Sequence, residues 1–244
     1  MSDSAPVSLP DLGTVDVWWI DLDRIEDDSL SLLAHDERVR AERFRSPRDR
    51  ARWISARVAL RQILSRYTGT MPAQVQLTHG THGKPALAGE SSLRFNLAHA
   101  GDRAALAVAR DREVGVDLEP IDPCLDVLPL LAIVCSETEA ARIAALDPGV
   151  RVEAFLTCWT LKESYLKGVG TGLSRDPRTV DLALLPDDRA VVTDHLVGIK
   201  EPLWSVRLLR PGSGWVAAVA ASGELLSIAE YHWPPPREVA GVGG

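Results

Sequence analysis

The chain has 244 residues, 45% hydrophobic and 25% charged, with a net charge of −7. That suits a globular protein with a substantial core and argues against general nucleic-acid binding. No apolar run approaches the roughly 20 residues a membrane helix needs.

The start, MSDSAPVSLPDLG, lacks the basic opening and apolar centre of a signal peptide. Val15–Ile20 (VDVWWI) predicts a first strand, and a helical stretch is expected from about Leu30 to Phe44. Ser46-Pro47-Arg48-Asp49 is a helix start: a Ser cap, Pro at the first position and an acid in the first turn. Trp53, Ala56, Leu60, Leu64 and Tyr67 form the buried stripe of that helix, Gly69 ends it, and Arg52, Arg57, Arg61 and Arg66 are expected on or beside its polar flank. Between Asp36 and Arg66 ten arginines stand against four acids. Such a concentration in an acidic chain predicts a local anion, either a phosphorylated ligand or an acidic partner, although a solvated helix face also reads this way.

Val75–Leu87 is extended and broken by Gly80, Gly83 and Pro85, with Lys84 in a Gly-Lys-Pro loop. Leu93–Leu97 predicts a strand and Ala98–Asp102 a turn. Ala104–Ala109 and Glu113–Glu119 are then expected to pair antiparallel around Arg110-Asp111-Arg112. Pro120–Pro129 carries three prolines and reads as a linker. Helices are expected over Glu137–Ala145 and Val152–Lys167, the second closed by Gly168, Gly170 and Gly172. Strands follow at Val180–Leu185, Ala190–Val192, Trp204–Leu209, Trp215–Ala220 and Leu225–Tyr231, and the tail PPPREVAGVGG is expected to be disordered. A shift of 112 positions lays Gly101-Asp102 on Ser213-Gly214, Val114 on Leu226 and Val116 on Ile228, a weak internal repeat. The cysteines, Cys124, Cys135 and Cys158, form no C-x-x-C pair. Reduced thiols in a cytoplasm are therefore expected, rather than a zinc site or a disulfide framework.

Asp117 and Glu119 lie two apart on a predicted strand, so they share a face about 7 Å apart along the chain. One hard cation could take both, as magnesium takes oxygen ligands; an exposed strand end reads the same way. Val152, Leu156, Trp159, Glu163 and Leu166 follow one helical face, which puts Glu163 inside an apolar stripe. A buried carboxylate is costly unless paired or metal-bound. Lys167, one turn on, could be its structural partner or belong to the same site.

The combination Gly83-Lys84-Pro85, FNLAHAG, GVDLE and WTLKESYLK followed by GTGL resembles the Sfp-type 4′-phosphopantetheinyl transferases. The similarity spans about residues 36–175, and it rests on the order and spacing of the pieces. It implies an α+β fold, a pseudo-twofold pair of similar subdomains, each an antiparallel sheet packed with helices. Their expected bounds are 1–119 (the basic segment and the Asp-x-Glu strand) and 120–233 (the WTLKESYLK helix), with 234–244 as the tail. The implied reaction moves the phosphopantetheine arm of coenzyme A to a serine of an acyl or peptidyl carrier protein and releases adenosine 3′,5′-bisphosphate. Asp117, Glu119 and Glu163 match the magnesium-binding acids. Glu163 also matches the residue that takes the serine proton, and Lys167 the one that steadies the pyrophosphate. Arg40, Arg43, Arg52, Lys84, His99 and Lys162 match the coenzyme A-binding side, His99 toward the 3′-phosphate. Two departures stand out: Ala98-His99-Ala100 replaces the usual Ser-His-Ser, and Glu37 stands where some relatives carry a cation, with Arg38 as its possible substitute. A cytoplasmic monomer is implied, and a catalytically silent coenzyme A-binding relative is the alternative.

Overall fold

The structure, a computed structural model, describes residues 7–24, 27–196, 203–225 and 227–235. The expected helix start at Ser46 holds: the Ser46 hydroxyl accepts from the Asp49 amide, Pro47 opens the 22-residue helix α2 (Pro47–Thr68), and left-handed Gly69 closes it. Before it come β1 (Thr14–Asp21) and a short α1 (His35–Ala41). Leu30–Leu32 belong instead to a separate 3-10 turn. After it come a small ribbon of β2 (Leu77–His79) and β3 (Pro85–Leu87), then β4 (Leu93–Ala100), β5 (Arg103–Arg110) and β6 (Val114–Pro120). The second part runs α3 (Leu128–Val134), α4 (Glu137–Ala144), α5 (Pro148–Val169), β7 (Val180–Leu184), β8 (Arg189–Asp194), β9 (Trp204–Leu209), β10 (Trp215–Ser222) and β11 (Ser227–Trp233).

Two sheets lie at the centre, ordered β11-β1-β5-β4 and β6-β10-β9-β8-β7. Period-two alternation along β5 decides the layering. Ala104, Leu106 and Val108 pack with Leu60, Ile63 and Leu64 of α2, whereas Ala105, Ala107 and Ala109 face Ala217, Val219 and Ala221 of the other sheet. The small residues on the inner faces let the sheets pack on one another. On the far side α5 covers the second sheet through Phe155, Leu166, Ala218 and Ala220. The result is an α+β fold of four layers: helix, sheet, sheet, helix.

The 112-residue echo has a topological counterpart. Shifted by 112, β5 (Arg103–Arg110) falls on β10 (Trp215–Ser222), and β6 falls within one residue of β11. Each of these following strands crosses to the other sheet: β6 pairs with β10, and β11 pairs with β1. The division of the sheets therefore does not coincide with residue 119. Among the described residues β1–β11 is the only parallel pair.

Three local expectations need correction. Segments 104–109 and 113–119 do not pair with each other. Asp111, at φ +54°, turns the chain out of the first sheet, and Val114, Val116 and Leu118 bury their apolar face between the sheets while β6 bonds to β10. Residues 98–100 are strand rather than turn: Ala98, His99 and Ala100 pair with Ala105, Ala104 and Arg103, and the turn is Gly101-Asp102. Arg61 is 2% exposed, so it belongs to the core and not to the polar flank of α2. Of the PPPREVAGVGG tail, residues 236–244 lie outside the described residues.

Candidate active site

The site forms where β6 crosses α5, and two glycines allow the crossing. A methyl group at Gly115 would fall on the Ser164 carbonyl and the Gly168 backbone; one at Gly168 would strike the Trp204 ring. Backbone therefore meets backbone, and the strand residues on the same face as Gly115, which are Asp117 and Glu119, are carried along α5 toward its N-terminus. Asn96 of β4, buried between the sheets, fixes the strand from the other side by accepting from the Val116 amide at 3.0 Å.

Four charged groups meet at this seam. Lys167 Nζ donates to Asp117 Oδ1 at 2.6 Å and lies 3.8 Å from Glu163 Oε2. Glu119 is half-buried, and its Oε1 accepts from the Trp159 indole at 3.1 Å. Asp117 and Glu163 are 4% and 5% exposed, yet Asp117 Oδ2 and Glu163 Oε1 have no hydrogen-bond partner among the described residues. Three acids against one ammonium leave the cluster short of positive charge. Burial pushes the Asp117 carboxyl up to about 7 against the pull of Lys167, with Glu119 and Glu163 pushing the same way as burial. Glu163 is raised as well, by burial first, opposed by Lys167 and reinforced by Glu119. Bare, desolvated carboxylate oxygens on hydrogen-bonded elements are the donor set a hard divalent cation takes. The donor chemistry of these residues suits magnesium.

The arginine cluster divides in two. Glu37 is buried at the start of α2's partner helix α1. It accepts from the Ala34 amide and pairs with Arg57 Nη2 and Arg61 Nε, both at 2.7 Å. Arg61 also donates to the Val75 carbonyl at 2.9 Å. Glu37, which looked like a departure, is the hub that holds α1 on α2. Arg52 is paired with Asp23 at 2.8 Å. Arg40 and Arg43 are exposed, and Arg40 sits over the Trp53 ring at 5.7 Å.

Arg40 lines two adjoining hollows. One, about 720 Å³, also takes Arg43 and Phe44; the other, about 200 Å³, takes Arg57, His79, Gly83, Pro85 and His99. Partial desolvation at its edge, with the Lys167 and Arg40 charges nearby, holds the His99 imidazole below its usual range. Ala98 lies on the opposite face of β4, buried between the sheets, so residue 98 does not face this hollow.

Two lysines expected on the coenzyme A side have their ammonium groups engaged within the protein. Lys162 is fully buried, donating to the Val134 and Pro177 carbonyls at 3.1 Å and paired with Glu139 at 2.5 Å. Lys84 Nζ is bound to Glu113 and two backbone carbonyls. Cys135 and Cys158, which no spacing rule links, approach to 4.0 Å beside Glu139. Sequence reasoning missed Trp159 as the partner of Glu119, along with Asn96 and His79. The first lay inside the quoted motif and was read only as apolar stripe.

Residues 21–111 match the 4′-phosphopantetheinyl transferase N-terminal family, and residues 113–220 match the 4′-phosphopantetheinyl transferase superfamily. The 4′-phosphopantetheinyl transferase HetI of Nostoc sp. is 35% identical over 227 residues, covering 91% of this chain and 90% of that protein. A putative 4′-phosphopantetheinyl transferase of Synechocystis sp. is 31% identical over 84% of this chain and 89% of its own length. The transferase AcpT of Escherichia coli K12 is 37% identical over 54% of this chain and 64% of its own. With full-length similarity of this kind, the chain belongs to the 4′-phosphopantetheinyl transferase superfamily and is a phosphopantetheinyl transferase.

Proposed function

We propose that this enzyme transfers the 4′-phosphopantetheine arm of coenzyme A to a serine hydroxyl of an acyl or peptidyl carrier protein, with magnesium held by Asp117, Glu119 and Glu163. The reading is carried by one observation: Asp117 Oδ2 and Glu163 Oε1 are buried and unpartnered beside Lys167. A bound magnesium would neutralise the pyrophosphate and act as a Lewis acid toward it.

The serine oxygen forms a bond to the phosphorus nearest pantetheine, the P–O bond to the second phosphate breaks, and adenosine 3′,5′-bisphosphate leaves. Glu163 takes the serine proton; burial raises its affinity for protons above that of an ordinary carboxylate, which strengthens it as a base. Lys167, held by Asp117 at 2.6 Å, is aimed at the same place and offers positive charge to the departing phosphate. Arg40 and Arg43, whose charges face the hollows and not an internal acid, and His99, which lines the smaller hollow, take the 3′-phosphate end. Arg52, occupied by Asp23, supports that side without touching the ligand, whereas Lys162, occupied by Glu139 in the core, does not reach it.

No helix among the described residues is long and apolar enough to cross a membrane. The net charge of −7 favours a protein-borne serine over nucleic acid as the acceptor. The test is a transfer assay with Glu163→Gln. Loss of transfer with coenzyme A binding retained supports the assignment, and surviving turnover removes Glu163 as the base.

A further inference from the structure

We propose that Lys84 is a positioning residue: its ammonium locks the register of β6 against α5 and does not ligate coenzyme A. The kinetic part of this inference rests on the transferase reading; the structural part does not.

Lys84 leaves the Gly83-Lys84-Pro85 turn, where Gly83 has φ +81°. Its Nζ donates to Glu113 Oε2 at 2.9 Å, to the Val114 carbonyl at 3.0 Å and to the Gly168 carbonyl at 2.8 Å. An ammonium has three hydrogens, so these partners use its whole donor capacity. The side chain is 17% exposed. Glu113 is also paired through its other oxygen with Arg94 at 3.2 Å, an exposed contact, so the two buried carbonyls are the firmer arms of the clamp.

The positions of the acceptors give the contact its meaning. Val114 opens β6, and Asp117 and Glu119 follow on the same strand. Gly168 directly follows Lys167 in the last turn of α5, where helical carbonyls lack an intrahelical donor and a cation is favoured by the helix dipole. Between these two acceptors lies the Gly115–Gly168 crossing, where the backbones touch. One lysine from a third element thus pins both sides of the seam at the point that sets where Asp117 meets Lys167. If the ammonium turned to a phosphate instead, the buried Val114 and Gly168 carbonyls would both lose their donor.

The experiment compares Lys84→Met, Lys84→Arg and Glu113→Gln with the parent enzyme, reading hydrogen exchange in the ligand-free protein and steady-state kinetics with an apo carrier protein. In ligand-free Lys84→Met, exchange at residues 114–119 and 165–170 should rise by about 10-fold or more. Its kcat should fall by about 10-fold or more, with the KM for coenzyme A within about 3-fold of the parent, and Lys84→Arg should recover part of the kcat. Glu113→Gln leaves the lysine charge in place and weakens one arm of the clamp, so it should show the same pattern at smaller size. It also carries the test if Lys84→Met does not fold. Unchanged exchange in both variants overturns the proposal. So does a rise of about 10-fold or more in the coenzyme A KM at unchanged kcat, which marks a ligand contact. Exchange in the free protein reads the clamp even if no carrier is modified, so failure of the clamp and failure of the transferase reading remain distinguishable.

Discussion

Lys162 and Glu163 are neighbours on α5, both buried and opposite in charge, yet the protein treats them differently. Lys162 has a carboxylate at 2.5 Å and two carbonyls, which together satisfy all of its hydrogens. Glu163 has one oxygen with a lysine at 3.8 Å and another with no hydrogen-bond partner among the described residues. They point about 100° apart around the helix, so one faces α3 and α4 while the other faces β6. Burial of charge is common to both; only the missing partner separates a site from a scaffold. The arginines repeat the contrast. Arg57 and Arg61 close on Glu37, while Arg40 and Arg43 face open hollows.

The sharpest way to break this contrast is to neutralise each member of the α5 pair. Glu163→Gln is expected to lower the transfer rate by roughly 10²–10⁴-fold while coenzyme A binding by calorimetry changes little. Lys162→Met should instead lower stability by about 3–5 kcal/mol in denaturant titration, because Glu139 is left charged and buried. The folded fraction of Lys162→Met should still transfer. If Lys162→Met kept full stability and lost coenzyme A binding, the division of roles along α5 would be wrong.

The arginines offer a smaller test. Arg40→Ala and Arg43→Ala should each weaken coenzyme A by about 10-fold and dephospho-coenzyme A far less, since a charged hydrogen bond is worth about 1.5–3 kcal/mol. Arg61→Ala should lower thermal stability, and its effect on the two ligands should be equal. Equal losses for both ligands in Arg40→Ala would remove it from the 3′-phosphate.

A further test of the same cluster is in pH. Asp117 binds its proton more tightly folded than unfolded, so its contribution to stability is complete below its ordinary value of 3.8 and is lost as pH rises through about 7. Without metal, the parent should therefore lose stability over that window relative to Asp117→Asn. Magnesium must displace the same proton, so its affinity should rise with pH up to about 7 and then level off. Calorimetric titration across pH reads this directly.

Much of this was legible in the chain. Ser46 and Pro47 announced α2, the two-residue spacing put Asp117 and Glu119 on one face, and the helical period placed Glu163 in an apolar stripe. The strand exchange was not, because alternation in β6 shows that one face is buried without showing which sheet lies beside it. Nor were the partners of Lys84, Lys162 and Arg61, whose acceptors lie 84, 28 and 24 residues away and depend on tertiary packing. For the same reason a motif residue such as Lys162 looked like a ligand contact when its ammonium closes a core ion pair.

The central claim is that the unpartnered acids hold a cation needed for transfer. Intact-protein mass spectrometry tests it most directly, with an apo carrier protein incubated with coenzyme A and this enzyme, with magnesium or with chelator. The account predicts the gain of one phosphopantetheine on the carrier with magnesium and none with chelator or with Glu163→Gln. Equal modification in chelator and in magnesium would contradict it.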